Sequence, residues 1–278
     1  MAVITLTTDF GWKDPYVGAV KGAIYNELEQ VNVVDISHDV SPFHIAEAAY
    51  IIQNAYSSFP KGSIHIIGVD AEHTVENKHV AVKLNDHYFI CADNGVLCLI
   101  MSKLNAERMV EINIHDRISS NFTTLDVFVK TACHIARGGT LEVIGKPIKS
   151  LKNISGIHPT VSENKSYING QVIYIDNYGN SVTNINRELF ESVGRGRSFE
   201  LSARSEKHKQ IFNRYSDIVK FDTPVAKRDV DGRGLVIFNT AGFIEIATYK
   251  SNPLTVGSAS TLFGLRLDTP VVINFNAS

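Results

Sequence analysis

The sequence of 278 residues has few cysteines, little net charge and no long apolar run, and each shortage excludes a class of protein. The three cysteines, at positions 91, 98 and 133, stand among apolar residues without CxxC or Cys/His ligand spacing, which indicates buried thiols rather than a metal site or a disulfide framework. The 27 basic and 29 acidic residues leave a net charge of −2, so we expect neither nucleic acid nor an acidic membrane surface as a partner.

Targeting and phosphate-binding signals are also missing. No apolar stretch is long enough to cross a bilayer, and a predicted strand begins close to Met1 without a basic leader before it. The turn after this strand lacks the GxGxxG spacing, so it does not indicate a phosphate-cradling loop. We therefore expect a soluble, cytoplasmic protein, which agrees with free thiols.

The chain is long enough, with 44% hydrophobic residues, to bury a substantial core in two domains. Residues 1–150 predict an α/β domain with a mostly parallel sheet, because strand-like and helix-like stretches alternate there. The expected strands are 2–7, 32–37, 63–69, 80–84, 87–91 and 108–113, and the expected helices are 15–29, 44–57, 94–103 and 123–137.

The second half has a different texture. Residues 151–167 lack helical periodicity and carry Gly, Pro and Ser, which is typical of a linker. Residues 168–278 predict a smaller all-β, barrel-like domain, because short runs rich in β-branched and aromatic residues are separated by turn residues. The expected strands are 169–175, 181–185, 198–202, 217–221, 234–238, 243–248 and 270–275.

Acidic residues end two of the apolar strands in the first domain. Asp9 follows the first strand and Asp70 follows the third. Because ligands bind outside the carboxyl ends of strands in open α/β sheets, both acids predict one polar crevice. Asp9 could accept hydrogen bonds from ribose hydroxyls, or it could cap the following helix.

The loop after the second strand offers two further candidates. His38 and Asp39 could form a catalytic or metal-binding pair, although adjacent side chains on an extended backbone point to opposite faces. Phe43 could form an aromatic wall for a ligand, or it could pack onto the following helix. His65, inside an apolar strand, is interpreted as a core histidine with satisfied hydrogen bonds.

Two turns of the second domain carry groups suited to a ligand. Asp176 and Asn180 flank a Tyr-Gly turn, and a carboxylate beside an amide suits an amino-acid head group; a β-turn with Asx hydrogen bonding is the alternative. At the start of the expected strand 243–248, directly after a turn, Phe243 offers a flat face on which an adenine could stack.

Taken together, these segments resemble one family. The motifs are TDFG at 8–11, DPYVG at 14–18, DISHDVSPF at 35–43, VD at 69–70, ADNGVL at 92–97, DNYGNSVTNI at 176–185, NTAGFIEIA at 239–247 and GSAS at 257–260. They are similar, in order and over both halves of the chain, to the S-adenosyl-L-methionine (SAM) hydroxide adenosyltransferases, or SAM hydrolases, which are relatives of fluorinases and chlorinases.

The resemblance implies an N-terminal α/β domain, a C-terminal β-barrel and a homotrimer with active sites between the N-domain of one subunit and the C-domain of the next. It implies attack of water or hydroxide on C5′ of SAM, which yields adenosine and methionine. No metal and no other cofactor is implied, because the sulfonium is already an activated leaving group.

The resemblance also assigns roles to individual residues. Asp9 would hold the ribose hydroxyls, Phe10 would belong to the substrate-binding residues, and Phe43 would form a wall at the ribose and sulfonium region. Asp176 and Asn180 would hold the methionine head group. The adenine pocket would be lined by Thr240, Phe243 and Glu245, and Ser258 would lie near the methionine end.

The catalytic positions depart from the family pattern. Family members carry an Asp, an Arg seven residues later and a His in an FHGRD run, whereas this chain keeps Asp70 but has Asn77 and Thr123 at the other two positions. Neither side chain supplies the charge of Arg or His. Lys78 and nearby histidines, at positions 73 and 79, are candidates to replace it.

Three functions follow from this pattern. The first is SAM hydrolysis with an altered set of water-positioning residues. The second is a protein that binds SAM or adenosine with impaired catalysis. The third is SAM-dependent halogenation, which ranks last because the Asp70 carboxylate would repel a halide, although Thr124 lies where fluorinases carry a halide-contacting serine.

Overall fold

The computed structural model describes residues 2–101, 105–115, 118, 121–154, 158–228 and 232–276. The chain divides into two compact units, Met1–Ile154 and Ser155–Ser278. The linker predicted over 151–167 spans this division, and part of it, residues 155–157, lies outside the described residues. The predicted domain boundaries therefore stay a prediction.

The first unit alternates strands and helices, as its hydrophobic pattern predicts. Its strands are β1 (Ala2–Thr8), β2 (Val31–Ser37), β3 (Ile64–Gly68), β4 (His79–Leu84), β5 (His87–Ala92), β6 (Arg108–Ile112) and β7 (Gly145–Pro147). Its helices are α1 (Tyr16–Glu27), α2 (Ile45–Ala55), α3 (Val96–Ile100), α4 (Val129–Ala136) and α5 (Leu141–Ile144), with a 3₁₀ turn at Tyr56–Ser58 and a π-helical turn at Thr124–Phe128.

The seven strands form one sheet with helices on both faces, in the order β2-β1-β3-β5-β4-β6-β7. Successive side chains of a strand point to opposite faces. Ile66 accordingly packs in the apolar cluster that contains residues of α1 and α4, while Ile67 packs in the cluster that contains residues of α2 and α3. The sheet is thus buried on both sides, which explains its continuous apolar runs.

This sheet is mixed and contains both parallel and antiparallel strand pairs. Strands β1, β2, β3 and β5 pair in parallel, whereas β4 pairs antiparallel with β5 and β6, and β6 pairs antiparallel with β7. The reversal comes from the tight turn between β4 and β5, where Asn85 and Asp86 have φ values of 51° and 62°. Two consecutive left-handed residues are the geometry of a two-residue hairpin, so β5 returns beside β4 without a crossover helix.

The expected helices of the first unit are present with shifted ends. The helix predicted over 94–103 is represented by α3, Val96–Ile100, and residues 102–104 lie outside the described residues. None of the helices in the described part of the chain combines the length and apolar character needed to cross a bilayer.

The second unit is an antiparallel, nearly closed, barrel-like sheet. Its strands are β8 (Thr160–Val161), β9 (Tyr167–Ile175), β10 (Ser181–Asn186), β11 (Phe199–Ala203), β12 (Glu206–His208), β13 (Gly234–Phe238), β14 (Phe243–Thr248) and β15 (Pro270–Phe275), joined by α6 (Arg187–Gly194) and α7 (Ala259–Leu262). The order is β12-β11-β15-β9-β10-β14-β13, with β8 beside β9. The two end strands approach each other where a Cβ on Gly234 would lie 3.0 Å from the ring of His208.

One strand prediction in this unit is wrong. Residues 217–221 are not a strand, because the chain forms a 3₁₀ turn at Tyr215–Ile218. The Asp217 carboxylate accepts hydrogen bonds from the backbone N–H groups of Asn213 and Arg214, which fixes the turn. The apolar pair Ile218 and Val219, which suggests a strand in the sequence, is buried in a small cluster with residues of β13 and β14.

Candidate functional site

An open cleft of about 330 Å³ lies at the carboxyl edge of the first sheet. Strands β1 and β3 pair in parallel with Thr8 opposite Gly68, so the residues that follow them meet at one edge. Both Asp9 and Asp70 line the cleft, in keeping with the polar crevice expected from the sequence. The full lining comprises Asp9, Phe10, Phe43, Gly68, Asp70, Ala71, Glu72, Asn121, Phe122, Thr123 and Thr124.

Gly68 allows the elements around the cleft to approach one another. A Cβ at this position would lie 3.0 Å from Thr124 Oγ1 and 3.2 Å from Thr8 Cγ2. Both contacts are closer than most real Cβ contacts, and the threonines belong to the π-helical turn and to β1. A larger residue would therefore push apart two of the elements that carry cleft residues.

Asp9 connects two of the loops around the cleft. Its Oδ2 accepts a hydrogen bond of 2.9 Å from the backbone N–H of Phe43. Phe43 has a φ of 63°, an outlier for a bulky side chain, and its side chain is 72% exposed. Such exposure excludes the packing onto α2 that the sequence left open, whereas a cleft wall is consistent with it. Helix α1 has no side-chain cap, so the alternative role of Asp9 as its cap is wrong.

A buried chain of hydrogen bonds supports the turn that carries Asp9. Nε2–H of His38 donates to the Asp35 carboxylate at 3.0 Å, and the hydroxyl of Thr8 donates to Nδ1 of His38 at 2.7 Å. Lys21 forms an ion pair with the same carboxylate. His38 is thus paired with Asp35 and not with Asp39, and it has a structural role beside the cleft.

Two neighbouring aromatic rings, Phe10 and Phe122, line the cleft. Phe10 packs edge-to-face against Phe122, with 5.4 Å between ring centroids, and Tyr16 lies against both rings. Edge-to-face pairs of this kind fix ring orientation as well as burying area. The Phe10 side chain is therefore held at the lining by two neighbours.

Thr123 and Thr124 enter the cleft where a π-helical turn begins. The backbone N–H groups of Leu125 and Asp126 both donate to the carbonyl of Phe122 at 3.0 Å, and the turn continues into α4. Wide turns of this type occur frequently at functional sites. The predicted catalytic position Thr123 therefore does line the cleft, with a hydroxyl in place of an imidazole.

The cleft is acidic. Asp9, Asp70 and Glu72 contribute three carboxyl groups, and no lysine, arginine or histidine is found among its described lining residues. A negative, partly enclosed surface attracts a cationic ligand and repels an anion. The site thus favours a positively charged reacting group.

Asn77 and Lys78 do not line this cleft. The carbonyl oxygen of the Asn77 side chain accepts a hydrogen bond of 3.0 Å from Lys152 Nζ, and its backbone N–H donates to Thr74 Oγ1 at 2.9 Å. The carbonyl of Lys78 accepts from the N–H of Asp93 at 2.6 Å. Both residues therefore lie in the loop between Asp70 and β4 and are not part of the cleft wall.

In the second unit, three of the predicted ligand residues form one cluster. The Asp176 carboxylate accepts hydrogen bonds from the backbone N–H groups of Tyr178 and Asn180 and from the Asn180 side-chain amide, at 2.8 to 2.9 Å. A Cβ on Gly179 would lie 2.2 Å from the Ser258 hydroxyl, so Ser258 packs directly on this turn. The Asx-bonded turn, which the sequence left open as the alternative to a ligand site, is thus present.

The remaining predicted residues lie on or beside β14. Thr240 is exposed, Phe243 is half-buried and Glu245 is buried. Glu245 accepts a hydrogen bond of 2.7 Å from the Tyr215 hydroxyl. Burial raises the pKa of Glu245, and the charge of Asp176 adds to the increase, while the bond from Tyr215 opposes it. Glu245 is therefore electrostatically connected with the Asp176 cluster.

Five of the lining residues are not among the candidates drawn from the sequence: Gly68, Ala71, Glu72, Asn121 and Phe122. Glu72 follows Asp70 by two positions on a loop that leaves a buried strand, and this position at a strand end is a usable signal. Nothing in the local pattern indicates Phe122, because its neighbours Phe10 and Tyr16 lie more than a hundred residues earlier in the sequence.

Comparison with known proteins covers both units. Residues 4–145 match the SAM hydroxide adenosyltransferase N-terminal domain, and residues 170–272 match the C-terminal domain of the same family. The chain belongs to the SAM hydroxide adenosyltransferase family. The resemblance predicted from its motifs is confirmed.

Named relatives of the chain include two kinds of enzyme. The chain is 29% identical over 258 residues to (R)-S-adenosyl-L-methionine hydrolase of Methanocaldococcus jannaschii, which covers 90% of this chain and 89% of that protein. It is 23% identical over 279 residues to a fluorinase of Actinopolyspora mzabensis, covering 88% and 90% of the two chains. The chain therefore has relatives named hydrolase and relatives named fluorinase.

The fold of the chain is also found in a crystal structure of a protein from Thermotoga maritima. The two superpose with a TM-score of 0.79 at 24% identity, over 99% of this chain and 100% of that one. At this identity the likeness concerns the fold alone.

Proposed function

We propose that this protein is a cytoplasmic enzyme that hydrolyses SAM at C5′ and releases adenosine and L-methionine. Family membership and the named hydrolase relatives support the reaction class. The observation that carries the proposal is the acidic cleft, in which the Asp9, Asp70 and Glu72 carboxyl groups face a space without a cationic side chain among the described lining residues. The three free cysteines support a reducing compartment.

The charge of the cleft matches the electronic course of the reaction. The sulfonium of SAM is a permanent cation, which nearby carboxylates stabilise through Coulomb attraction. A water oxygen forms the new bond to C5′ as the C5′–S bond breaks, and the bonding electron pair leaves with sulfur to give the neutral thioether of methionine. The water then loses one proton, and Asp70 is the proposed acceptor. No metal or redox cofactor is needed.

The other lining residues hold the substrate and exclude bulk water. Asp9 is the proposed partner of the ribose hydroxyls, and Phe10 and Phe43 would cover the ribose and sulfonium region. A volume of about 330 Å³ lies at the lower end of the range for ligand pockets and suits the nucleoside part of SAM. In-line placement of water opposite sulfur is the main catalytic requirement, because the leaving group is already activated.

A homotrimer supplies the rest of the proposed site. The Asp176 cluster would bind the methionine head group through Asp176, Asn180 and Ser258. Thr240, Phe243 and Glu245 would form the adenine pocket. In the proposed assembly these residues come from a neighbouring copy of the chain. Light scattering is expected to give the mass of three chains, and mixed trimers of Asp70→Asn and Asp176→Ala subunits are expected to recover activity that neither variant has alone.

A second function has support from one observation. Asn77 carries no charge and lies off the cleft wall, and Thr123 carries a hydroxyl where the family pattern has a histidine. These residues favour a protein that binds SAM or adenosine without turnover. Halogenation is disfavoured, since three acidic side chains at the cleft would oppose entry of a halide anion.

Turnover of SAM by the purified protein separates these functions. We expect adenosine and methionine by mass spectrometry, at the same rate with and without chloride or fluoride, and a loss of about 100-fold or more in kcat for Asp70→Asn. The matched control is Asp86→Asn, because Asp86 is also an aspartate with a left-handed backbone but lies in the β4–β5 hairpin outside the cleft.

Three results would decide against hydrolysis. SAM binding by calorimetry without adenosine above the uncatalysed rate would support the binding protein. A halogenated 5′-deoxyadenosine that forms only with halide would support the halogenase. An unchanged kcat in Asp70→Asn would remove Asp70 from the mechanism.

A further inference from the structure

Two buried side chains that do not line the cleft hold the backbone around Asp70. The side-chain amide of Asn94 donates to the carbonyl of Val69 at 3.0 Å and to the carbonyl of Asp70 at 3.2 Å. Nε2–H of His79 donates to the next carbonyl, that of Ala71, at 3.1 Å. Three consecutive carbonyl groups are thus each bound by a side-chain donor from outside their own loop.

Asp70 needs such support because of its backbone conformation. Its φ is 45°, in the left-handed region, and it lies two residues after Gly68, the buried last residue of β3. Non-glycine residues in this region persist when their surroundings fix them, and they cluster at sites where a side chain must be aimed. The conformation turns the chain out of the sheet at the residue whose carboxylate lines the cleft.

Asn94 is fully engaged in this role. It is 6% exposed, and while its amide group binds the two carbonyls, its Oδ1 accepts from the N–H of Val96 at 3.2 Å, at the start of α3. A carboxylate in its place would keep the acceptor for Val96 and lose both donors. The substitution Asn94→Asp therefore removes the two donated hydrogen bonds and leaves the size of the side chain nearly unchanged.

His79 is fixed in one tautomer. It is fully buried on β4, and because a carbonyl can only accept, the nitrogen that faces Ala71 carries the proton. Burial lowers its pKa to about 3, with the nearby His115 and His73 contributing, so the ring is neutral at working pH. Its Nδ1 then accepts a hydrogen bond of 2.7 Å from Nε2–H of His115.

A metal site is not the explanation for these three histidines. The rings of His73 and His115 stack with centroids 4.1 Å apart, and His79 is bonded to His115 directly. No group of three His, Cys, Asp or Glu side chains in the described chain is arranged to hold a metal ion. The cluster instead orders the ring that binds Ala71.

The geometry points to Asn94 and His79 as positioning residues that aim the Asp70 carboxylate into the cleft, although neither touches the substrate site. This inference rests on the proposed function for the role of Asp70 in turnover. The positioning of the carboxylate does not depend on the proposed function, because the structure of a variant can test it without a measurement of activity. Asn94 and His79 would thus determine kcat through Asp70.

The test uses three variants of the full chain. Asn94→Asp removes both donors to Val69 and Asp70, and His79→Leu removes the donor to Ala71. His79→Gln is the conservative rescue, because the Gln amide nitrogen can occupy nearly the place of Nε2. A displacement of about 1 Å in a catalytic group can cost about 100-fold, so we expect kcat to fall by about 10- to 100-fold in Asn94→Asp and His79→Leu.

A merely structural role would not produce this pattern. We expect KM for SAM to stay within about threefold, because the residues that bind substrate are intact, and His79→Gln to recover most of kcat. The matched control is His65→Leu, since His65 is also fully buried in the sheet and bonded to another histidine, His87, but lies at the other end of β3. This control is expected to lower thermal stability and leave kcat unchanged.

Crystal structures of the variants separate this inference from the proposed function. We expect Asp70 to leave its left-handed conformation, or its carboxylate to move by more than about 0.5 Å, in Asn94→Asp and His79→Leu. If Asp70 stays in place in both, the inference is overturned whether or not the protein hydrolyses SAM. If Asp70 moves and the wild type shows no turnover, the positioning stands and the proposed function fails. An equal loss of kcat in His65→Leu would mean that the effect comes from a general loss of stability, and the inference would be overturned.

Discussion

The cleft of the first unit and the Asp176 cluster of the second unit gather polar residues in opposite ways. The cleft takes its residues from loops after β1, β2 and β3 and from the π-helical turn, which the parallel sheet brings to one edge. The Asp176 cluster is built around one turn between β9 and β10, with Ser258 packed on it. The first arrangement depends on the whole sheet, whereas the second is largely local.

The hydrogen bonds show the same difference. The oxygens of Asp176 accept three bonds from their own turn, so that carboxylate is oriented before any ligand arrives. The one bond described for the Asp9 carboxylate comes from Phe43, 34 residues away, and the Asp70 loop is held by Asn94 and His79. We infer that packing defects spread to the cleft more readily than to the cluster.

A fall in pH should produce the largest difference in stability between the two units. His65 and His79 are buried in the first sheet, and burial lowers the pKa of each to about 3. In the unfolded chain their pKa is about 6.5, so below that pH the unfolded state binds protons that the folded state does not, and stability falls as pH falls. From pH 7 to pH 5 each histidine should cost about 2 kcal/mol of unfolding free energy.

The chain offers a probe specific to each unit for this measurement. Trp12 is the single tryptophan and lies in the first unit, so its fluorescence during urea unfolding reports that unit alone. Hydrogen exchange of peptides from β9 and β10 reports the stability of the second unit. In that unit burial lowers the pKa of one histidine, His208. We expect the first unit to lose more stability between pH 7 and pH 5, and His65→Leu to remove part of its pH dependence. The comparison breaks if both units lose stability equally.

A change within the second unit should remain local. Asp176→Ala removes the acceptor of three hydrogen bonds, and we expect the second unit to lose about 2 to 3 kcal/mol of unfolding free energy. Asp176→Asn is the control, because its remaining oxygen can still accept the two backbone N–H groups, and it should cost about 1 kcal/mol. The Trp12 transition should not move in either variant; a shift would show that the cluster is not local.

The sequence predicts the parts of this molecule that depend on periodicity. The apolar runs that end at Asp9 and Asp70 locate both strand ends, and their parallel pairing makes one crevice of them. The hairpin at Asn85 and Asp86 has no glycine to signal a left-handed turn, so the mixed sheet is not evident. The buried pair Ile218 and Val219 resembles part of a strand in the sequence, because burial in a small cluster requires the same apolar residues as burial in a strand.

The support of the site could not be predicted for a different reason. The bond from Asn94 to Val69 spans 25 residues, and an amide facing a carbonyl leaves no pattern in either segment. The bond that Asn94 accepts from the N–H of Val96 is local in sequence, whereas its two other bonds depend on the sheet order. Similarly, Lys78 and Asn77 follow Asp70 closely in sequence but turn away from the cleft, because their loop forms its own hydrogen bonds.

The smallest expected effect concerns Glu72, the exposed member of the acidic lining. Its charge acts on the sulfonium through solvent, so Glu72→Gln should raise KM for SAM by only about two- to threefold and leave kcat unchanged. The increase should shrink at high salt, because exposed charges are screened, while binding of a neutral thioether analogue should not change at all. Initial rates at two ionic strengths and calorimetry with the analogue test this. An equal loss of affinity for the neutral analogue would mean that Glu72 acts by shape or hydrogen bonding, and the acidic cleft would then owe its preference for a cation to Asp9 and Asp70 alone.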